Sequence, residues 1–280
     1  MELYCHQWGK PNNNKRILFL HGLGGTGAVW RPIAQSLEND YRILAPDQRG
    51  HGKSQIIHIP GGRIKPNYSP LDYGSDLVNT LEKHQFYPTY VIGHSMGVRS
   101  ACALAHIKPD WIDGIILIDL SLSLSKEKTL ESSLVQFLTQ LPMQFRTRKE
   151  AKTYLETNSP DPSVKQYLLA VSITNDAGQI TFPFDKQAVI QTLNAVRQYT
   201  VSTWPAQVVE ELGKKNKPIM ILRGAHSGVF TSAMFQHDKE YFKRYSSIHF
   251  KEFQDTGHGL PFEKRLEFLE VIKKFMKENV

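Results

Sequence analysis

What most constrains this chain is a rhythm. Short apolar runs ending in Gly, Asp or His alternate with helically spaced segments over the first 120 residues, stop, and resume near residue 219. Ile17–Leu20, Tyr41–Ala45, Tyr90–Ile92 and Ile115–Ile118 read as buried strands. Helical spacing falls between them at about Val29–Leu37, Leu71–His84 and Val98–Ala105. Such alternation requires right-handed crossovers and a mostly parallel sheet covered by helices on both faces. In sheets of this kind, reactive groups collect at the carboxyl ends of the strands.

The rhythm breaks at about Ser123. From there to Ala206 the spacing predicts helices over Lys126–Leu141, Lys149–Thr157, Ser163–Ile173 and Lys186–Val201, separated by Pro142, Pro160, Pro162, Pro183 and Pro205. Strands return at Ile219–Leu222 and His249–Phe253, followed by an amphipathic helix at about Phe262–Met276. The expected organisation is a discontinuous α/β core, residues 1–122 and 207–280, interrupted by a helical cap at 123–206.

Composition excludes several classes. With 40% hydrophobic and 22% charged residues, the 280-residue chain can bury a sizeable core and is neither disordered nor low-complexity. Its net charge of +7 raises the question of nucleic acid, but the basic residues are scattered. The densest groups, Lys214, Lys215 and Lys217 and then Arg146, Arg148 and Lys149, resemble solvated surface rather than a recognition helix. No nucleic-acid partner is therefore expected. Cys5 and Cys102 support neither a disulfide framework nor a thiolate metal site, and no His and carboxylate cluster has metal-ligand spacing. Met1–Lys10 lacks a signal-like apolar run and no membrane-length apolar stretch occurs, so the expectation is a cytoplasmic protein without a membrane partner.

Three motifs carry chemistry. Gly22-Leu23-Gly24-Gly25-Thr26-Gly27 follows a strand, with Asp47 closing the next one, and by spacing alone it is a dinucleotide fingerprint. However, Asp47 runs into the loop Gln48-Arg49-Gly50-His51-Gly52-Lys53-Ser54, and His21 precedes the first glycine. Neither feature serves pyrophosphate binding, and a Gly-rich loop can equally turn its amides toward a developing oxyanion. Gly93-His94-Ser95-Met96-Gly97 links a strand to a helix and would display Ser95 on a sharp turn. A serine hydroxyl needs a neighbouring base to become nucleophilic. Of the eleven histidines, His258, in Asp255-Thr256-Gly257-His258-Gly259-Leu260-Pro261, falls after the last strand, on the sheet edge that carries Ser95.

Taken together, Leu18–Trp30, Ala45–Ser54, Val91–Val98, Ile115–Asp119, Ile219–Gly224 and Thr256–Leu260 stand in the order and spacing of the α/β-hydrolase family, and the chain resembles a capped serine esterase of that family over nearly its whole length. The resemblance implies Ser95 as nucleophile, His258 as base, and an oxyanion hole from the backbone N–H groups of Leu23 and Met96. It implies no cofactor and no metal. The loop after Ile219–Leu222 departs from the pattern, with Gly228 where the family usually carries its acid. Asp119, 24 residues past Ser95, stands at a strand end on the same edge and is the expected acid, with Asp255 as the alternative.

The expected activity is hydrolysis of carboxylic esters of small to medium acyl groups through an acyl-enzyme, with Trp30, Phe145, Phe182, Trp204 and Leu260, beside Phe184, as candidate substrate-binding residues. Thioesterase, lactonase, carbon-carbon bond hydrolase and cofactor-free haloperoxidase chemistry fit the same triad. A non-catalytic relative binding a small molecule and an NAD-dependent oxidoreductase are the alternatives from other classes. The particular ester and the oligomeric state depend on surfaces that a linear sequence does not display.

Overall fold

The computed structural model of the chain describes residues 1–55, 67–122, 129–160, 162–198 and 204–279. Ten strands occur among them: β1 (Cys5–Trp8), β2 (Arg16–Leu20), β3 (Arg42–Pro46), β4 (Tyr90–His94), β5 (Gly114–Ile118), β6 (Gln144–Phe145), β7 (Ile173–Thr174), β8 (Ile180–Thr181), β9 (Ile219–Gly224) and β10 (Ile248–Phe253). Seven form one sheet in the order β1-β3-β2-β4-β5-β9-β10, parallel throughout except for β1, which runs antiparallel along β3. The expected core strands match within a residue or two. β1 was not expected, because its sequence Cys-His-Gln-Trp is only partly buried at the sheet edge and lacks an apolar run.

The continuous apolar strands reflect burial on both faces. β4 and β5 are buried at every position. One face packs Val91, Ile115 and Leu117 against Leu104, Val209 and their neighbours on flanking helices; the other packs Ile92, Ile116 and Ile118 against Phe268, Ile272 and Phe275. The helix Pro70–Lys83 begins with a reciprocal cap, in which the Ser69 hydroxyl accepts from the Asp72 amide and the Asp72 carboxylate accepts from the Ser69 amide, with Pro70 at the first helical position. The expected helix near Val29–Leu37 is shorter, a 3-10 turn Gly27–Trp30 followed by one α-turn, Arg31–Ala34.

The inserted stretch supplies the helices Thr129–Gln140, Arg148–Asn158, Pro162–Val171 and Lys186–Gln198. The ends of two expected helices, 126–128 and 199–201, lie outside the described residues. The stretch also contains a three-stranded sheet, β6-β8-β7, whose two-residue strands are too short to leave an alternation in sequence. Phe137, Leu141, Phe145, Leu155 and Phe182 give it an apolar cluster of its own. It is joined to the loop after β3: the Gly52 amide donates to the Pro183 carbonyl at 2.7 Å and the Asp185 amide to the Gly50 carbonyl at 2.8 Å. The helix Trp204–Lys214 instead packs on the core beside Met96–Ile107, so residues 204–206, which the sequence pattern groups with the insertion, sit with the α/β core.

Candidate active site

The sheet order places the site. From β2 the chain moves outward to β3, then crosses back to β4, and the crevice at that reversal lies above the carboxyl ends of β2 and β4. Ser95 emerges there from β4 with φ 54° and ψ −119°, a strained backbone that a side chain tolerates only if its neighbours are small. A Cβ at Gly93 would stand 2.3 Å from the Gly97 carbonyl oxygen, and one at Gly97 2.3 Å from the Leu20 carbonyl oxygen, so the turn has room only for hydrogen at both positions.

His258 sits between β10 and the short helix Leu260–Glu263. Its Nε2 lies 3.0 Å from Ser95 Oγ and its Nδ1 2.7 Å from Asp119 Oδ2. An ionised carboxylate only accepts, so Nδ1 carries the proton and the Nε2 lone pair faces the serine hydroxyl. The loop that holds His258 is braced by Glu263, whose carboxylate accepts from the Thr256 hydroxyl at 2.5 Å and the Gly257 amide at 3.0 Å. His94, on the elbow itself, donates from Nε2 to the His258 carbonyl at 2.7 Å.

Asp119 ends β5 in a left-handed conformation, φ 56°, and is fully buried. Besides His258, its carboxylate accepts from the Gly224 amide at 2.8 Å and the Ser227 hydroxyl at 2.5 Å. The loop that lacks the usual acid at Gly228 thus turns two donors toward an acid carried one strand over. Ser227 escapes sequence reasoning, because nothing local marks a loop serine as the partner of a carboxylate 108 residues away. Asp255 is exposed, on a turn with φ 53°, and the His258 Nδ1 partner is Asp119.

Behind the glycine loop lies a buried polar frame. His21 donates from Nδ1 to the Gly22 carbonyl at 2.8 Å and accepts the Gln48 amide on Nε2 at 2.9 Å. His51 donates from Nδ1 to the Arg49 carbonyl and accepts the Gly24 amide on Nε2, both at 2.9 Å. Burial lowers the pKa of His21 to about 4 and that of His51 to about 3, which keeps both rings neutral and able to accept. Burial, with the nearby His258, lowers that of His94 to about 3. Asp47 is occupied internally, accepting from the Gly27 amide at 2.8 Å and the Lys53 amide at 2.9 Å, rather than reaching out as a dinucleotide ribose would need. The Gly25 amide donates to the Gly22 carbonyl. The Leu23 and Met96 amides have no internal acceptor among the described residues.

Ser95 and His258 open onto a cavity of about 170 Å³. Its walls come from Leu23 and Met96, from Tyr68 and Tyr73, and from cap residues including Leu138, Leu168 and Phe184. Phe184 is thus where the sequence places it, but the five other candidate substrate-binding residues do not line this cavity. Trp30 is stacked on Phe19 at 4.6 Å within the core, and Leu260 belongs to the same buried cluster. Phe145 and Phe182 meet edge to face at 6.2 Å inside the cap. Trp204 packs against the core, its ring 5.9 Å from His106. An apolar side chain has the same signature in sequence whether it walls a cavity or fills a core, which is why these five are misplaced.

Residues 15–265 match the family model described as the alpha/beta hydrolase fold. The chain belongs to the α/β-hydrolase fold family. It is 25% identical to the 3-hydroxybutyrate-oligomer hydrolase of Cupriavidus necator, the match covering 92% of this chain and 87% of that protein. It is 24% identical to the sn-1-specific diacylglycerol lipase of Mus musculus, covering 93% of this chain and 80% of that one. Among solved structures it superposes on E-2-(acetamidomethylene)succinate hydrolase with a TM-score of 0.75 at 21% identity, covering 98% of this chain and 95% of that one. That last likeness speaks to the fold. This α/β-hydrolase has no helix among its described residues long and apolar enough to cross a membrane.

Proposed function

We propose that this α/β-hydrolase is a serine esterase that cleaves carboxylic esters of small to medium, largely apolar acyl groups. The reading rests above all on one observation, the relay Ser95 Oγ to His258 Nε2 at 3.0 Å and His258 Nδ1 to Asp119 at 2.7 Å, opening onto an apolar cavity. In this reading His258 takes the Ser95 proton as Oγ attacks the ester carbonyl, and Asp119 stabilises the imidazolium and its tautomer. The Leu23 and Met96 amides receive the oxyanion. His258 returns the proton to the leaving alcohol; it then activates a water that releases the acid and frees Ser95.

The cavity is small beside the roughly 300–1,000 Å³ typical of drug-sized ligand sites, which favours short and medium acyl chains. The hydrolase and lipase names of the relatives fit ester cleavage. The contact of Asp119 with His258 supports a catalytic reading over a non-catalytic one despite Gly228. Cys5 and Cys102 as free thiols fit the expected cytoplasmic setting.

A fluorophosphonate probe tests the reading directly. Ser95 should be modified, the Ser95→Ala protein should not, and a chain-length series of p-nitrophenyl esters should peak at short to medium acyl groups. Folded protein with an unreactive Ser95 would refute it.

A further inference from the structure

Tyr167 projects from the middle of the cap helix Pro162–Val171. Its ring is half-buried, yet its hydroxyl oxygen is buried and has no hydrogen-bond partner among the described residues. That oxygen lies against the glycine loop: a Cβ built at Gly25 would stand 2.7 Å from it, and one built at Gly22 would stand 3.0 Å from it. The same Gly22 position is 3.2 Å from Ser95 Cβ. The phenol oxygen and Ser95 Cβ therefore border the same small space in front of Gly22, together with the unpaired His94 Nδ1 at 3.1 Å from that position, and Tyr167 and Ser95 both line the cavity with His258.

The lack of a partner is informative because the cavity shows the alternative. Tyr73, on the same wall, has its hydroxyl paired with Thr192 Oγ1 at 2.6 Å. Tyr68 is also unpaired and lines the same cavity, packed with Met96, Leu23 and Ala188 and near Gly50, but only the Tyr167 hydroxyl lies against both Gly22 and Gly25 of the glycine loop. For packing alone, phenylalanine at 167 would fill the same space without burying an unpaired polar atom. Burial raises the pKa of the Tyr167 phenol, so it keeps its proton and is a donor at neutral pH.

We propose that the Tyr167 hydroxyl is a third donor of the oxyanion site, hydrogen-bonding the substrate's carbonyl oxygen as it gains negative charge, alongside the Leu23 and Met96 amides. The inference rests on the ester-hydrolase reading above. The proton stays on Tyr167, and the phenol lowers the barrier by interacting more strongly with the oxyanion than with the neutral ester. Since this donor belongs to the cap, the oxyanion site is complete only with the helix Pro162–Val171 seated over the Gly22–Gly25 loop.

Tyr167→Phe keeps the ring and removes only the hydroxyl. Its kcat on a short p-nitrophenyl ester should fall about 100- to 1,000-fold with KM within about twofold. The affinity of an aryl trifluoromethyl ketone, whose adduct with Ser95 bears the oxyanion, should fall by a similar factor. Counting active sites with the fluorophosphonate probe normalises both measurements to folded protein. Tyr154→Phe, which removes a cap hydroxyl bonded to the Gln140 carbonyl, should change neither quantity. Tyr167→Phe with kcat and ketone affinity both within about twofold of the parent would overturn the proposal. A parent protein that the fluorophosphonate fails to label would instead overturn the hydrolase reading beneath it.

Discussion

At the scale of single residues, the site turns on which carboxylate serves His258. Asp119 is buried, accepts from His258 Nδ1 at 2.7 Å, and is itself fixed by the Gly224 amide and the Ser227 hydroxyl. Asp255 is exposed. The residue change that separates them is to asparagine, which preserves shape but loses the charge and favours the wrong imidazole tautomer. Asp119→Asn should lower kcat by about 10⁴, the loss the serine-protease template shows for its orienting aspartate, while Asp255→Asn stays within about twofold. Pre-steady-state release of p-nitrophenol reads the acylation step in both variants; an inert Asp119 beside an essential Asp255 would reverse the assignment. Asp119 is legible in the sequence because it closes an apolar strand on the correct edge. Its Ser227 donor is not, because that contact exists only after β5 and β9 pair.

At the scale of elements, the strand-turn-helix around Ser95 is a steric device. β4 and the helix Met96–Ile107 approach so closely that hydrogen is all that fits at positions 93 and 97. Gly97→Ala would drive a methyl group into the Leu20 carbonyl, the last residue of β2, and so push the elbow away from the glycine loop. This overpacking should cost about 1–3 kcal/mol, read as a lower urea midpoint, with the turnover of p-nitrophenyl esters proposed above falling more steeply than stability. The elbow is legible in sequence because its constraint is local, five residues between an apolar strand and a helix. The cap is legible only as a set of helices. Its small sheet, and which of its apolar side chains face the cavity, follow from how the helices cross, and no residue spacing records that.

Taken as a whole, the molecule buries three histidines, His21, His51 and His94, around its candidate site. His21 and His51 hold the glycine loop and His94 holds the His258 loop, with burial lowering their pKa values to about 4, about 3 and about 3. In the unfolded chain each would titrate near 6.5. Between those limits the unfolded state binds protons that the folded state refuses, so stability should fall as the pH drops from about 6.5 toward 4 and be independent of these groups above about 7. Urea midpoints measured from pH 7.5 down to 4.5 check this; a flat profile would show that the three rings do not stay neutral. Charge plays a lesser part in the whole than the net +7 first suggests. Lys214 and Arg244 both pair with Glu210 at the surface, and the other basic cluster, around Arg148, lies on an exposed cap helix. By itself the sequence determined the mostly parallel sheet and marked Ser95, His258 and Asp119 as candidates at the ends of its strands, because period, chain order and short-range sterics act along the chain. Only the tertiary structure decided that Ser227 steadies the acid, that Tyr167 overhangs the glycine loop, and that five plausible pocket residues lie in cores instead. Those outcomes depend on which distant surfaces meet, and an apolar or hydroxyl side chain carries no mark of the surface it will meet.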